Sequence, residues 1–395
     1  MENFLSGIRQ SPSATAADTT VRTLNDPRLF EETPLDDALD TALQTYVSTE
    51  TRPRREVPLA NDYARRVQSH DVLSQYVTSG QWRALALASA ASILGTSEAE
   101  EHALLGLWTY RVLALTRQRQ GELAERELDR LEAASRYAGV AQGAVRMGRS
   151  ATVAWPFELR VLRAQVPAAT HNLAESMARL CALQRGCQRA VIKRGASAEK
   201  VMLNKQRLFR LSLMISGCAL RLGDAALAAR LLDGLADEAA DARVLSAAAR
   251  MYLQLGSIPA AERLFDAAEQ RVRGDDGLVL MNRALCAVAT GKWDAARELF
   301  AQAAAGRPER IAAGNNMAVC ELYLGSPQAM LNGLQQLMVA SPTAAGTAEE
   351  LVFNYCTGLD LHYDGSKLRE AKVKKMIEVG MWAGDGFDMG AFKIQ

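Results

Sequence analysis

Histidine is scarce in this 395-residue chain, and its four copies, His70, His102, His171 and His362, are scattered. None has a second ligand three or four residues away, which excludes zinc sites of the usual spacings. The six cysteines, Cys181, Cys187, Cys218, Cys286, Cys320 and Cys356, form no CxxC pair. Cys286 and Cys320 lie 34 residues apart and read as small buried packing residues of a reduced, cytosolic protein. There is no GxxxxGK(S/T) loop to hold a nucleoside triphosphate and no GxSxG elbow to offer a serine nucleophile. The stretch Gly384-Asp385-Gly386-Phe387-Asp388-Met389-Gly390 is glycine-rich, yet it misses the dinucleotide spacing and follows a helical pattern instead of a strand. No cofactor or metal is expected, and enzymatic chemistry is disfavoured.

Long apolar runs are missing too. The best, Ala84 to Leu94, is broken by serines and falls short of the ~18 residues that span a bilayer. The N-terminus carries no charged, apolar and cleavable segment of signal type. Charge of one sign is not in excess: 46 Lys and Arg stand against 45 Asp and Glu, a formal net charge of +1. That balance argues against nucleic acid or an acidic membrane surface as the main partner, so any membrane contact is expected to be indirect. Local basic clusters, Arg52, Arg54 and Arg55, and Lys372, Lys374 and Lys375, read as a solvated linker and a solvated helix face.

What the chain does have is a period. Gly223, Gly256, Gly291 and Gly325 are 33, 35 and 34 residues apart, and each heads a similar helical segment. A period near 34 is the signature of tetratricopeptide repeats, antiparallel helix pairs that stack into a solenoid. The clearest unit reads Gly291, Trp293, Ala296, Phe300, Ala303, Pro308. The unit before it reads Gly256, Ile258, Ala261, Phe265, Ala268; the unit after keeps Gly325 and Pro342 but places Met330, Leu334 and Leu337 in the packing slots. Glycine turns the chain where a Cβ is disfavoured. Ala261 and Ala296 let two helices approach closely, while Phe265 and Phe300 fill the gap to the next pair.

These patterns predict an all-α, tetratricopeptide-like α-solenoid of about eight helical hairpins. Residues 1–60 are expected to form a flexible N-terminal arm, with one short helix over Leu35–Val47. Irregular hairpins follow over 61–194, interrupted by a loop at Gly139–Val153. Tetratricopeptide repeats occupy 195–342, and a capping hairpin with a tail covers 343–395. In that last hairpin, Leu368, Ala371, Met376 and Val379 form the apolar face and Arg369, Lys372 and Lys375 the polar one.

One constellation points to recognition. Asn282, Asn316 and Asn354 occupy the same position of successive first helices, with Arg250 on the same face one unit earlier. On a concave face these amides, each both donor and acceptor, suit the backbone of an extended segment. The competing reading is local satisfaction of backbone groups near helix starts. The basic residues of a carboxylate clamp are absent at Leu285 and Val319, which disfavours chaperone C-termini as ligands.

Several stretches resemble the subunit 12 family of the transport protein particle (TRAPP) complex, a tetratricopeptide family. The most specific is Asn315-Asn316-Met317-Ala318-Val319-Cys320-Glu321-Leu322-Tyr323-Leu324-Gly325, followed by Leu351-Val352-Phe353-Asn354-Tyr355-Cys356-Thr357. Gly384-Asp385-Gly386-Phe387 with Phe392-Lys393-Ile394 is similar to the family's terminal motif. Gly148-Arg149-Ser150, Val153, Pro156-Phe157 and Arg160-Val161-Leu162 are similar to its loop-to-helix segment. The likeness covers roughly residues 70–395, and the chain lacks the long polar N-terminal extension of animal members. The resemblance implies a non-catalytic scaffold subunit of TRAPP III, an exchange factor for a Rab-family GTPase in ER-to-Golgi transport and autophagy. It implies docking among the large arm subunits and a cytoplasmic location peripheral to early secretory membranes. A stand-alone adaptor that binds extended peptides in its groove is the alternative.

Overall fold

The computed structural model describes residues 23–33, 38–53, 70–141, 155–236, 241–272, 277–305, 311–346 and 348–394. Among them every regular element is helical. A lone helix, α1 (Ala38–Tyr46), precedes eight helix–turn–helix pairs. The first four are α2 (His70–Ser79) with α3 (Trp82–Gly95), α4 (Glu101–Arg117) with α5 (Gly121–Ala141), α6 (Phe157–Ala169) with α7 (Leu173–Ile192), and α8 (Ala198–Arg221) with α9 (Ala225–Ala236). The next three are α10 (Ala242–Gln254) with α11 (Ile258–Glu269), α12 (Leu278–Ala289) with α13 (Trp293–Ala304), and α14 (Ile311–Tyr323) with α15 (Pro327–Ala340). A single turn, α16 (Pro342–Ala345), leads into α17 (Glu349–Asp360) and α18 (Gly365–Gly380).

One turn is used over and over. Gly223, Gly256, Gly291 and Gly325 all have left-handed backbones, with φ of 82, 75, 72 and 83°. In each case the next residue's N–H reaches back five residues to a helix carbonyl: Asp224 to Ala219, Ser257 to Tyr252, Lys292 to Ala287 and Ser326 to Glu321, all 2.9 Å. This bond closes a helix whose last carbonyls would otherwise lack donors. The same closure recurs at Gly80, where Gln81 N bonds to Tyr76 O at 3.0 Å. It recurs again where no glycine marks it: at Arg119 (φ 62°) and at His171 (φ 64°). There Gln120 N reaches Leu115 O at 2.9 Å and Asn172 N reaches Pro167 O at 2.8 Å. The irregular front half thus shares its turn with the regular back half, and the turn before Gly121 is centred on Arg119.

Contacts divide the chain into two units. One comprises the described residues within Met1–Thr41, Arg55–Ser176 and Gly384–Gly386; the other, those within Ala42–Arg54, Met177–Ala383 and Phe387–Gln395.

The first unit is built around Trp108, which is fully buried. Its indole N–H donates to the carbonyl of Leu24 at 2.8 Å, and its ring stacks on Phe30 with centroids 4.7 Å apart. Beside it Arg111, also buried, forms two bonds to the Glu127 carboxylate, at 2.6 and 3.0 Å, and one to the Ala86 carbonyl at 3.0 Å. Such a pair is strongly held only because each charge finds several partners. The segment Gly384–Gly386 packs into the same unit. Asp385 accepts from the backbone N–H of Arg83 at 2.8 Å, at the start of α3, and binds the buried Arg83 guanidinium at 2.7 Å. Asp40 holds the other side of that guanidinium, also at 2.7 Å. Gly386 has φ of 73°, and a Cβ there would meet the Arg117 carbonyl oxygen at 2.5 Å. The motif that was unassignable as chemistry is thus a packing device: only glycine fits at 386, and only a carboxylate completes Arg83.

In the second unit the repeat residues fill the seams. Ala261 and Ala296 have no exposed surface, Phe300 none and Phe265 6%. Trp293 stacks on Tyr323 with centroids 4.0 Å apart, joining α13 to α14. Gly314, inside α14, lies so close to Leu337 of α15 that a Cβ would sit 2.6 Å from it.

Two expectations need correction. Residues 23–33 and 38–53, read as part of a flexible arm, are folded, with Leu24, Leu29, Leu39, Leu43 and Val47 buried. Their apolar residues are too sparse for a periodic signal, yet Leu24 and Leu29 join the core around Trp108 and Leu43 lies against Gly380 of α18. Lys372 and Lys375, assigned to a solvated face, are 6% and 4% exposed. Their apolar stems line the buried side of α18 and only the ammonium heads need polar partners. Lys372 finds Asp360 at 2.6 Å and the Lys393 carbonyl at 2.8 Å. Lys375 finds Glu378 at 2.7 Å and Gln335, and lies 4.3 Å from the Tyr355 ring centroid. Gly139 continues α5 to Ala141. The rest of the expected loop to Val153, with Gly148-Arg149-Ser150, and also Arg54, Arg55 and Pro308, lie outside the described residues.

Candidate partner-binding groove

The first helices of the pairs in the second unit contribute to one common surface. In the second unit α8, α10, α12, α14 and α17 together line a groove of about 1100 Å³. Its walls are largely small or apolar, including Ala247 on α10, Met281 on α12, Ala312 on α14 and Leu351 on α17. Into them are set Arg243, Arg250 and Gln254 of α10, Asn316 of α14 and Glu350 of α17.

The four residues singled out from the sequence do not share one role. Arg250 and Asn316 line the groove. Asn282 is 3% exposed, and its side-chain oxygen accepts from the Ser246 hydroxyl at 2.7 Å, tying α12 to α10. Asn354 donates to the side-chain oxygen of Asn315 at 3.0 Å, tying α17 to α14. The ladder of amides is therefore split: two rungs are helix-to-helix ties, and one faces the groove. Equal sequence position did not guarantee equal surroundings, because Ser246 and Asn315 supply partners that Asn316 does not have.

Among the described residues neither Arg243 nor Arg250 is paired with a carboxylate, and the Asn316 amide makes no side-chain hydrogen bond. Burial among the groove walls holds the Arg250 guanidinium below its ordinary pKa, with no carboxylate to counter it. Arg243 and Glu350 were missed. Arg243 was legible, since it stands seven residues, two helical turns, before Arg250. Glu350 was not, because nothing in the sequence tells an acidic first turn facing a groove from one facing solvent.

No group of three His, Cys, Asp or Glu residues is placed to hold a metal ion, and no helix is long and apolar enough to cross a membrane, both among the described residues. All six cysteines are free thiols. Burial is the main cause raising the Cys181, Cys286 and Cys320 thiols, and it pushes Cys356 up to about 12. A nucleophilic cysteine needs the opposite shift.

No protein-family model matches the chain. Trafficking protein particle complex subunit 12 of Mus musculus is 28% identical over 261 residues, 60% of this chain and 32% of that protein. The Homo sapiens protein of the same name is 27% identical over 262 residues, 60% of this chain and 35% of its own length. The match thus spans about a third of the curated relatives. Among solved structures, Ypp1 superposes with a TM-score of 0.51 over 91% of this chain and 53% of its own, at 12% identity, a likeness of fold alone. With the recurring glycine turns and the helix pairs they close, these findings make the chain an all-helical, tetratricopeptide-type protein similar to trafficking protein particle complex subunit 12.

Proposed function

We propose that this chain is a non-catalytic, accessory subunit of a TRAPP assembly, in which its helical repeats brace other subunits. The observation that carries the reading is the sequence likeness to subunit 12 over 60% of the chain, on a scaffold whose conspicuous surface feature is an open groove. In the finer form of the proposal the assembly is TRAPP III and the neighbours are its large arm subunits. The complex acts on a Rab-family GTPase at ER–Golgi membranes and in autophagy, and the chain touches the membrane only through its partners.

Affinity purification of the native protein at low salt, without crosslinker, followed by mass spectrometry, tests this directly. Other TRAPP subunits are expected in stoichiometric amounts, and the isolated chain is expected to leave nucleotide exchange on the Rab GTPase unaccelerated. Recovery as a free monomer from gently lysed cells overturns the proposal. A second reading, an adaptor that captures extended peptides, is favoured by Arg243, Arg250 and Asn316, which line the groove and whose side chains have no side-chain partner among the described residues.

A further inference from the structure

We infer that the far end of the α7–α8 hairpin is a docking arm, gripped along its side by an acidic amphipathic helix of a partner protein. The inference deepens the bracing role by naming the surface a companion holds, and it rests on the chain having protein companions.

The arm shows first as surplus length. α7 has 20 residues and α8 has 24, whereas α9 to α15 have 12 to 14. The Gln184 side-chain amide donates to the Ser212 hydroxyl at 3.0 Å and sets the antiparallel register of the two helices. Beyond that bond α7 continues for about 12 Å and α8 for about 21 Å. Every buried residue of α8 lies at Leu211 or later, and within 185–210 Cys187 alone is buried. Two long helices are thus spent on a hairpin end that covers almost none of the chain's own core.

Its charge is one-sided. Residues 185–210 hold eight Lys and Arg against one acid, Glu199, while the rest of the chain holds 38 Lys and Arg against 44 Asp and Glu. Near-neutrality overall therefore conceals a cationic arm on an otherwise acidic molecule. Arg185, Arg189, Lys193, Arg194, Lys200 and Arg210 are exposed and have no carboxylate partner among the described residues. Such a surface selects an anionic guest.

Apolar side chains decide the guest's shape. Ile192, Met202 and Leu203, near the turn, are 78%, 59% and 43% exposed. Arg185, Arg189 and Ile192 share one stripe of α7, and Lys200, Leu203 and Arg210 share one stripe of α8. In both stripes an arginine stands seven residues from the apolar side chain, about 10.5 Å down the shaft. A helix laid along the arm meets both, with an apolar residue at the tip and carboxylates two turns away on the guanidinium forks. A flat anionic lipid surface at the tip would leave those arginines about one Debye length behind.

The test uses the tagged full chain, purified with its companions and treated with a water-soluble carbodiimide, which joins an ammonium to a carboxylate in direct contact. Lys193 and Lys200 are expected to be linked to Asp or Glu residues of one partner segment, spaced three or four apart as on a helix face. Arg185→Glu with Arg189→Glu is expected to lower recovery of that partner by roughly tenfold or more. Both side chains are exposed, so thermal melting is expected to stay unchanged. Lysines in place of the linked acids of the partner are expected to restore recovery by the double variant. Links to a TRAPP subunit support the arm and the proposed assembly together; links to a protein outside TRAPP support the arm and overturn the assembly. TRAPP subunits recovered without such links, or held equally by the double variant, overturn the arm alone. Flotation of the purified chain with vesicles containing phosphatidylserine, but not with phosphatidylcholine alone, assigns the arm to lipid and overturns the helix as its occupant. Recovery of the chain without any companion overturns both.

Discussion

Single residues in this protein are held to their types by backbone angle and by charge. At Gly291, with φ of 72° and nothing within 4 Å of a would-be Cβ, the glycine is required by conformation and not by space. Gly291→Ala is expected to cost about 1–2 kcal/mol. At His171, with φ of 64°, the converse holds, and His171→Gly is expected to stabilise by about 0.5 kcal/mol once the added freedom of the unfolded chain is offset. Urea titration monitored by circular dichroism reads both; effects of the same sign, or none, would mean that backbone angle does not decide the residue type at these turns. Asp360 shows the part played by charge. Burial alone would raise its pKa, but hydrogen bonds from Lys372 and Lys393 outweigh burial and the net shift is downward. A carboxyl whose folded pKa is depressed stabilises the fold above its unfolded value, and that contribution disappears as pH falls through the folded one. Stability is therefore expected to fall below about pH 4, with a shallower acid limb in Asp360→Asn. Melting temperature measured against pH, with the two proteins in parallel, decides this.

Helix pairs succeed or fail at their seams. Ala296 has no exposed surface and faces the helix that Gly291 turns away from. Ala296→Arg is expected to cost several kcal/mol by overpacking and desolvation, with loss of helical signal or a sharply lowered melting temperature. An unchanged melt would show that the second helix does not sit as described. This scale was also the most legible in the sequence. The apolar pattern over Leu173–Ile192 coincides with α7, and α3, α4, α17 and α18 end within two residues of the patterns at Trp82–Leu94, Glu101–Leu115, Glu349–Leu361 and Ser366–Val379. Turns at Arg119 and His171 were harder to see, because side chains other than glycine occupy the left-handed position and the marker vanishes. The burial of Lys372 and Lys375 was hidden as well, since a lysine's charge is local while its stem is as apolar as its neighbours. In the groove, Arg250 and Asn316 were legible from repeat position. The ties made by Asn282 and Asn354 were not, because they depend on what stands opposite, Ser246 and Asn315.

For the whole molecule, period and composition carried the architecture further than they carried the site. A 34-residue period predicts a run of similar pairs, but a groove gains its selectivity from the residues in which neighbouring repeats differ. Contacts far apart in sequence carry no such periodic trace. Leu24 beneath Trp108 and Asp385 on Arg83 are separated by 84 and 302 residues, and neither could be paired from pattern alone.

The Asp385–Arg83 contact also bears on biosynthesis. The first unit surrounds a guanidinium whose second carboxylate is encoded 302 residues downstream. Domains generally fold as they emerge from the ribosome, N-terminal parts first, but this one lacks the Asp385 carboxylate until residue 385 has been translated. A message cut short before the Asp385 codon would yield a polypeptide whose buried Arg83 guanidinium lacks one of its carboxylate partners, a natural substrate for quality control.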